Sequence, residues 1–376
     1  MRLAFCLFKY FPFGGLQRDF LRIAQTCHER GDFIDVYTMD WAGEVPEGFN
    51  LHLLNVSNLT NHGRARAFAD KLYERLQAEN YEAIIGFNKL PGLDLYFAAD
   101  PCFEARARRD HGFFYRLTSR YRTYAALERA VFGPKSNTEI LLISLVEKTN
   151  FIDCYGTPEF RFHFLPPGID PDRLAPFDAR KRRERFRSEQ GFADDELLLL
   201  MVGSGYQTKG LDRSLRAMAA LPMALRNRTR LLVVGRGKCA PFLRLARQLG
   251  VADRLHLYGG RDDVPAFLLG ADLLLQPSYY ENTGTAIVEA LAAGLPVLAT
   301  ENCGYAHYVE DADAGLLVPM PYVQSTMDKL LQDMLISEEL PRWRHQALKF
   351  AKQADLYSLP ERAADIIEGI AARKAS

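Results

Sequence analysis

The 376-residue sequence has no net charge, because 47 lysines and arginines are matched by 47 aspartates and glutamates. A chain-wide field for nucleic acid is therefore excluded, and any basic partner surface has to be local. No uninterrupted apolar run approaches the ~18 residues that a membrane-spanning helix needs, so the chain is not expected to cross a bilayer. The six cysteines, Cys6, Cys27, Cys102, Cys154, Cys239 and Cys303, stand at wide, irregular intervals without a CxxC pair. That spacing excludes a zinc ribbon and reads as reduced, cytosolic thiols. HExxH and other close His/Asp/Glu sets are also missing, His307 is a lone histidine, and no metal is expected. The first eight residues have the apolar character of a signal segment, but Lys9 and Gly14-Gly15 follow in place of a small-residue cleavage site. They read as a buried first strand. Internal repeats and low-complexity tracts are absent.

What is present is ordinary globular composition, 48% hydrophobic and 25% charged, in a chain too long for one core, so two domains are expected. The amino half alternates strands near 2–8, 33–39, 51–56, 82–87, 95–99 and 138–144 with amphipathic helices at about 16–30 and 62–79, a βα pattern with a largely parallel sheet. Phe164-Leu165-Pro166-Pro167-Gly168-Ile169 breaks that rhythm, because consecutive prolines continue neither a helix nor a strand interior. A charged helix at 178–190 and a second strand series at 197–202, 230–234, 255–258, 271–276, 296–300 and 315–318 follow. The expected organisation is two Rossmann-like domains, 1–165 and 166–356, with a final helix at 357–376. That helix carries Ala363, Ile366, Ile367 and Ile370 on one apolar face, which needs a surface to pack on. Two such units present the carboxyl edges of their sheets to a central cleft, the arrangement of an enzyme that joins two substrates.

The candidate chemistry lies at the carboxyl ends of these strands. Glu281 and Glu289 flank Asn282-Thr283-Gly284 directly after a strand ending at Pro277, which puts Glu281 on a loop and Glu289 on the helix that follows. The free amides of that helix start suit an anion, and carboxylates accept hydrogen bonds from sugar hydroxyls; a nucleotide sugar offers both groups. Lys209, in Gly203-Ser204-Gly205-Tyr206-Gln207-Thr208-Lys209-Gly210, opens another helix, where a lysine is unfavourably placed unless it meets an anion such as a diphosphate. Gly14-Gly15 leaves the first strand and lets backbone approach a phosphate, or simply makes a tight turn. Gly259-Gly260-Arg261 follows a third strand and offers contacts to a base or ribose. Asp100 ends a strand, where it either orients or deprotonates an acceptor hydroxyl or caps the next segment. Between Cys102 and Val131, seven arginines, among them Arg106, Arg108, Arg109, Arg116 and Arg120, stand against three acids, interleaved with Phe113, Phe114, Tyr115, Tyr121 and Tyr124. Basic and aromatic residues on one amphipathic segment suit an anionic membrane surface. Nucleic acid uses the same composition, but the neutral balance of the chain argues against it.

Together these pieces resemble the retaining, family 4 nucleotide-sugar glycosyltransferases of GT-B fold, whose Glu-x7-Glu signature Glu281 and Glu289 match. Lys9-Tyr10-Phe11-Pro12-Phe13-Gly14-Gly15-Leu16-Gln17-Arg18-Asp19, Gly86-Phe87-Asn88-Lys89-Leu90-Pro91-Gly92-Leu93-Asp94, Leu165-Pro166-Pro167-Gly168-Ile169, Cys303-Gly304-Tyr305-Ala306-His307-Tyr308 and Asp355-Leu356-Tyr357-Ser358-Leu359-Pro360 are similar to the lipopolysaccharide core glucosyltransferases of that class. The resemblance covers nearly the whole chain. It implies a metal-free transfer of glucose from UDP-glucose to an inner-core heptose, with retention, by a cytoplasmic protein peripherally associated with the inner membrane. It further implies that Gly15 approaches the diphosphate by its amide and Lys209 neutralises it, that Glu289 holds the ribose, and that Glu281 with the amides of Asn282, Thr283 and Gly284 holds the glucose. Asp19 and Asp100 then face the reacting centre and the acceptor. Where some relatives carry an arginine beside the phosphate lysine this chain has Thr208, and Arg173 or Arg213 is the candidate replacement. Retention arises by same-face attack or by double displacement. The resemblance also implies that the terminal helix crosses back onto the first domain.

Two other readings compete with a transferase. A UDP-sugar epimerase shares the fold but leaves the basic aromatic segment without a purpose. A membrane-associated, non-catalytic scaffold is opposed by the intact glutamate pair and Lys209.

Overall fold

A computed structural model describes residues 1–12 and 14–375. Phe13, within the first glycine motif, and Ser376, at the expected end of the terminal helix, lie outside the described residues. The chain divides into two units, Met1–Gly168 with Ser358–Ser376, and Ile169–Tyr357.

In the first unit the strands are β1 (Arg2–Cys6), β2 (Lys9–Tyr10), β3 (Phe33–Thr38), β4 (Asp40–Trp41), β5 (Phe49–Leu53), β6 (Ala83–Gly86), β7 (Leu95–Ala98), β8 (Glu139–Leu142) and β9 (Phe162–Phe164). Seven of them form a parallel sheet in the order β5-β3-β1-β6-β7-β8-β9. Strand β1 is apolar at successive positions because both of its faces are covered. Leu3 and Phe5 enter one core with Phe20 and Phe87, while Ala4 and Cys6 enter the other with Phe68 and Phe132. The terminal helix Leu359–Ala375 belongs to this unit and packs on the helix Gly15–Glu29 and on β6. Its Ala363, Ala364, Ile367 and Ala371 are fully buried, and a side chain such as Ile367 contributes about 1.5–3 kcal/mol by leaving water.

Three strands had no signal in the sequence. The pair β2–β4 is two residues on each side, held by Tyr10 stacked on Trp41 at 3.9 Å. Strand β9 has only three residues, too few to show a period, and exists because it pairs with β8 through Ile140–Phe162 and its two neighbours.

The second unit contains β10 (Leu197–Val202), β11 (Thr229–Val234), β12 (Leu255–Gly259), β13 (Leu273–Gln276), β14 (Val297–Thr300) and β15 (Gly315–Val318), in the parallel order β12-β11-β10-β13-β14-β15. Leu199 and Met201 bury on one face of β10, Leu198 and Leu200 on the other. The run of four leucines is thus read as a two-sided central strand. Chain connections run outward in opposite directions from β10 and β13, so the loops leaving these neighbours diverge and open a crevice at the carboxyl edge.

Candidate active site

Both loops at that crevice carry sequence-predicted residues. The loop after β10 ends at Gly210, whose φ of +75° starts the helix Leu211–Ala220. A Cβ at this position would strike the carbonyl of Pro277 in the loop after β13, so only glycine lets the two loops meet. The Tyr279 amide donates to Thr208 O at 2.9 Å, joining them further. Lys209 Nζ donates to Glu281 Oε2, and the Gln276 amide approaches the same oxygen at 3.4 Å. Both side chains are more than four-fifths buried, where an ion pair is only weakly screened. Because the contacts fall on Oε2, Glu281 keeps Oε1 for another donor, and Lys209 keeps N–H donors beyond the one on Glu281.

Glu281 is also fixed through its backbone. Its carbonyl accepts from Gly304 N at 3.2 Å, and Thr283 O accepts from Tyr305 N at 2.6 Å. The Cys303-Gly304-Tyr305 motif is therefore the floor under the Glu281-to-Gly284 loop. Burial pushes the Cys303 thiol up to about 11, which keeps it protonated. Gly284, at φ +86°, opens the helix Thr285–Ala292, and the first-turn amides of that helix lie at the loop bearing Glu281, Asn282 and Thr283. Glu289 lies on the same helix, 8% exposed, with Arg173 Nε at 3.4 Å. Arg173 comes from the short turn Pro171–Arg173 and also approaches Asp172 at 3.5 Å.

Arg213 does something the sequence did not show. Its guanidinium is buried between the rings of Tyr279 and Tyr322, at 3.7 Å from each centroid, and donates to Pro277 O and Ser278 O at 3.1 Å. It braces the loop that carries Glu281. Arg261, at the end of β12, is exposed and bound to Asp263 at 2.8 and 2.6 Å. It shares no hydrogen bond or ion pair with Lys209, Glu281 or Glu289 among the described residues.

In the first unit, Gly15 begins the helix after Gly14, with open space where a Cβ would stand. Asp19 is on the second turn, beside Arg18 at 3.5 Å. Asp100 is exposed at the end of β7 and lines a 190 Å³ cavity with Asn88, Lys89, Phe103, Arg106 and Tyr124. Capping of the helix Phe103–Asp110 falls to Cys102 and to Glu128, not to Asp100. Glu128 is fully buried and accepts from Phe103 N at 2.7 Å, Glu104 N at 2.9 Å, Tyr155 at 2.6 Å and Lys89 at 2.5 Å. Lys89 also donates to Pro101 O at 2.7 Å. The Lys89–Glu128 pair thus clamps the backbone beside Asp100, the physical role of the lysine in Gly86-Phe87-Asn88-Lys89.

The basic aromatic segment separates into two parts. Arg108 at 2.8 Å, Arg116 at 3.2 Å and the Tyr121 hydroxyl at 2.5 Å all converge on buried Glu104. Burial alone would raise that carboxyl, but the Tyr121 and Arg108 hydrogen bonds outweigh it and hold Glu104 below the ordinary carboxylate value. Arg109 is bound to Asp110 at 2.7 Å, and Arg106 approaches the same acid at 3.4 Å. The Tyr121 hydroxyl is tied inward to Glu104, whereas Phe113, Phe114 and Leu117 are exposed apolar groups. Alternation of charge and aromatics showed the segment but not which rings face out, because Glu104 lies 4, 12 and 17 positions away in sequence from Arg108, Arg116 and Tyr121, the groups it collects. Among the described residues no three His, Cys, Asp or Glu side chains group to hold a metal ion, and no helix is long and apolar enough to cross a membrane.

Two Rossmann-like units of parallel strands, the second with a lysine–glutamate pair at its switch point, define a glycosyltransferase of GT-B fold. Residues 13–173 match the family described as Glycosyltransferase Family 4, and residues 182–353 the family described as Glycosyl transferases group 1. The chain belongs to the family of the lipopolysaccharide glucosyltransferase WaaG of Escherichia coli K12, with which it is 46% identical over 98% of this chain and 99% of that protein. A crystal structure of WaaG, a glycosyltransferase involved in lipopolysaccharide biosynthesis, superposes with a TM-score of 0.90 over 98% of this chain and all of that one. Anabaena Alr3699/HepE, solved in complex with UDP and glucose, is 17% identical and shares the fold, with a TM-score of 0.75 over 98% of this chain and all of that one.

Proposed function

We propose that the chain transfers glucose from UDP-glucose to a heptose of the lipopolysaccharide inner core, with retention and without a metal, at the cytoplasmic face of the inner membrane. The observation that carries this reading is the Lys209–Glu281 pair in the crevice between β10 and β13. Breaking the bond between the glucose anomeric carbon and the UDP oxygen puts positive charge on the sugar and negative charge on the departing diphosphate. Lys209 meets the negative charge with the N–H groups that Glu281 leaves. Glu281 Oε1 accepts from glucose hydroxyls, beside the amides of Asn282, Thr283 and Gly284. Glu289, oriented by Arg173, accepts from the ribose. In the first unit, Asp100 receives the acceptor hydroxyl and takes up its proton as the new carbon–oxygen bond forms. In this reading Lys209 and helix amides supply the positive charge that a metal ion supplies elsewhere.

Incubation with labelled UDP-glucose and heptose-bearing core lipid tests the reading. Label is expected on the lipid, in EDTA as well as without it, and Glu281→Ala is expected to lose transfer. Label released as free or isomerised sugar would favour an epimerase, and silence with retained vesicle binding a scaffold.

Peripheral attachment is supported by Phe113 and Phe114, 73% and 81% exposed on the turn Phe113–Leu117 beside Arg108 and Arg109. The double substitution Phe113→Ser/Phe114→Ser is expected to weaken flotation with anionic vesicles by roughly tenfold or more. Transfer to a delipidated core saccharide should stay at the wild-type rate. Unchanged flotation would remove these rings from the membrane contact.

A further inference from the structure

Beyond Asp100 the first unit holds a second cavity, of 260 Å³, walled by Phe103, Arg106, His111, Tyr115, Arg120 and Tyr124. It shares Phe103, Arg106 and Tyr124 with the cavity that contains Asp100, so the two adjoin along these three side chains. Resting on the transferase reading above, we propose that this second cavity is an acceptor subsite that binds an anionic substituent, a phosphate or carboxylate, on the saccharide whose hydroxyl lies at Asp100.

The charge in the cavity is one-sided. Two guanidinium groups and an imidazole line it, and no carboxylate does. The nearby acids are engaged elsewhere: Glu104 by Arg108, Arg116 and Tyr121, and Asp110 by the fork of Arg109 at 2.7 and 3.2 Å. Arg106 keeps only a 3.4 Å approach to Asp110, and Arg120 rests over the Tyr124 ring at 5.8 Å. Both retain guanidinium donors for the paired hydrogen bonds that a phosphate or carboxylate accepts. The walls are aromatic. His111 stacks on Tyr115 at 4.0 Å, and Phe103 packs against Tyr124 at 5.6 Å, which gives flat surfaces for sugar C–H groups beside the charge. Each cavity lies below the ~300 Å³ typical of a drug-sized ligand, a scale suited to one sugar ring or one charged substituent. A bilayer is a poorer occupant of a concave, tyrosine-walled cavity, and the exposed rings of Phe113 and Phe114 are not among those that line it.

The test uses delipidated core saccharide as acceptor, intact, phosphatase-treated or carboxyl-reduced, with wild type, Arg106→Gln/Arg120→Gln and Arg106→Lys/Arg120→Lys. With intact acceptor, loss of both charges is expected to raise the acceptor KM by about tenfold or more, as for lost charge-assisted hydrogen bonds. The donor KM should stay constant and the lysine variant recover part of the loss. Wild type should show the same rise when phosphatase or carboxyl reduction removes the recognised group, which identifies it, and the glutamine variant should then be indifferent to that removal. Equal KM values for wild type and the glutamine variant, or a rise that is the same for all three acceptors, would overturn the subsite. A loss seen only with vesicle-borne acceptor would assign the arginines to the bilayer instead. No transfer by wild type to any acceptor would sink the transferase reading, and the subsite with it.

Discussion

Replacing Lys209 by methionine is expected to lower kcat for glucosyl transfer by about two to three orders of magnitude, the usual cost of removing one preorganised donor from developing negative charge. The effect is large because Lys209 is held in advance: Gly205 O accepts its amide at 3.2 Å, Glu281 accepts its ammonium, and only about a fifth of the side chain meets solvent. Little reorganisation is then needed when the diphosphate departs. The same substitution strands the Glu281 carboxylate beside buried Cys303 and Gln276, so sugar binding weakens as well. The two residues act as a unit, and Lys209→Met/Glu281→Gln should therefore lose less than the product of the single losses. Saturation kinetics with UDP-glucose measure both quantities. A Lys209→Met enzyme with near-normal kcat would remove the lysine from the leaving-group site, and multiplicative losses would separate the pair.

Asp272→Asn is expected to destabilise the protein by about 3 kcal/mol, seen as a lower urea midpoint at constant slope. This acid stands at the entrance to β13 and collects four donors. Arg183 at 2.6 Å and Arg344 at 3.1 Å reach Oδ1, while Leu198 N at 2.9 Å and Arg187 at 3.3 Å reach Oδ2. Two helices, Ala179–Glu189 and Leu340–Gln353, and the neighbouring strand β10 are thereby fastened to the strand that leads to Glu281. Asparagine keeps the shape but removes the charge, leaving three guanidinium groups facing one another. Breaking a fully buried pair costs about 3–5 kcal/mol; the lower end applies because Arg183 and Arg344 retain partial access to water. Stability within experimental error of wild type would show that the arginines find other partners.

Much of this fold was legible because parallel strands covered on both faces leave a plain signal. The runs Leu3 to Cys6 and Leu197 to Val202 are apolar at every position that the sheets bury, and the chain supplies helices between them. Loops at the carboxyl ends were legible for a related reason: Gly210 and Gly284 occupy backbone conformations that side chains resist, so glycines mark where strands hand over to helices. Lys209 and Glu281 could be named as candidates on that basis.

Partnership was another matter. Lys209 and Glu281 are separated by 72 positions, and only the adjacency of β10 and β13 brings them together. Arg213 stood in the sequence as a candidate for the phosphate cluster, and only the folded chain shows its guanidinium enclosed by the rings of Tyr279 and Tyr322. In the basic segment, composition gave the excess of positive charge, but Glu104 and Asp110 decided which arginines are neutralised and which line a cavity. The sequence by itself determined the two-unit parallel architecture, the loops that bear the chemistry and the sign of the charge on them. The tertiary structure decided which charge meets which, because electrostatic pairing depends on distance and burial, and both arise only when strands distant along the chain become neighbours.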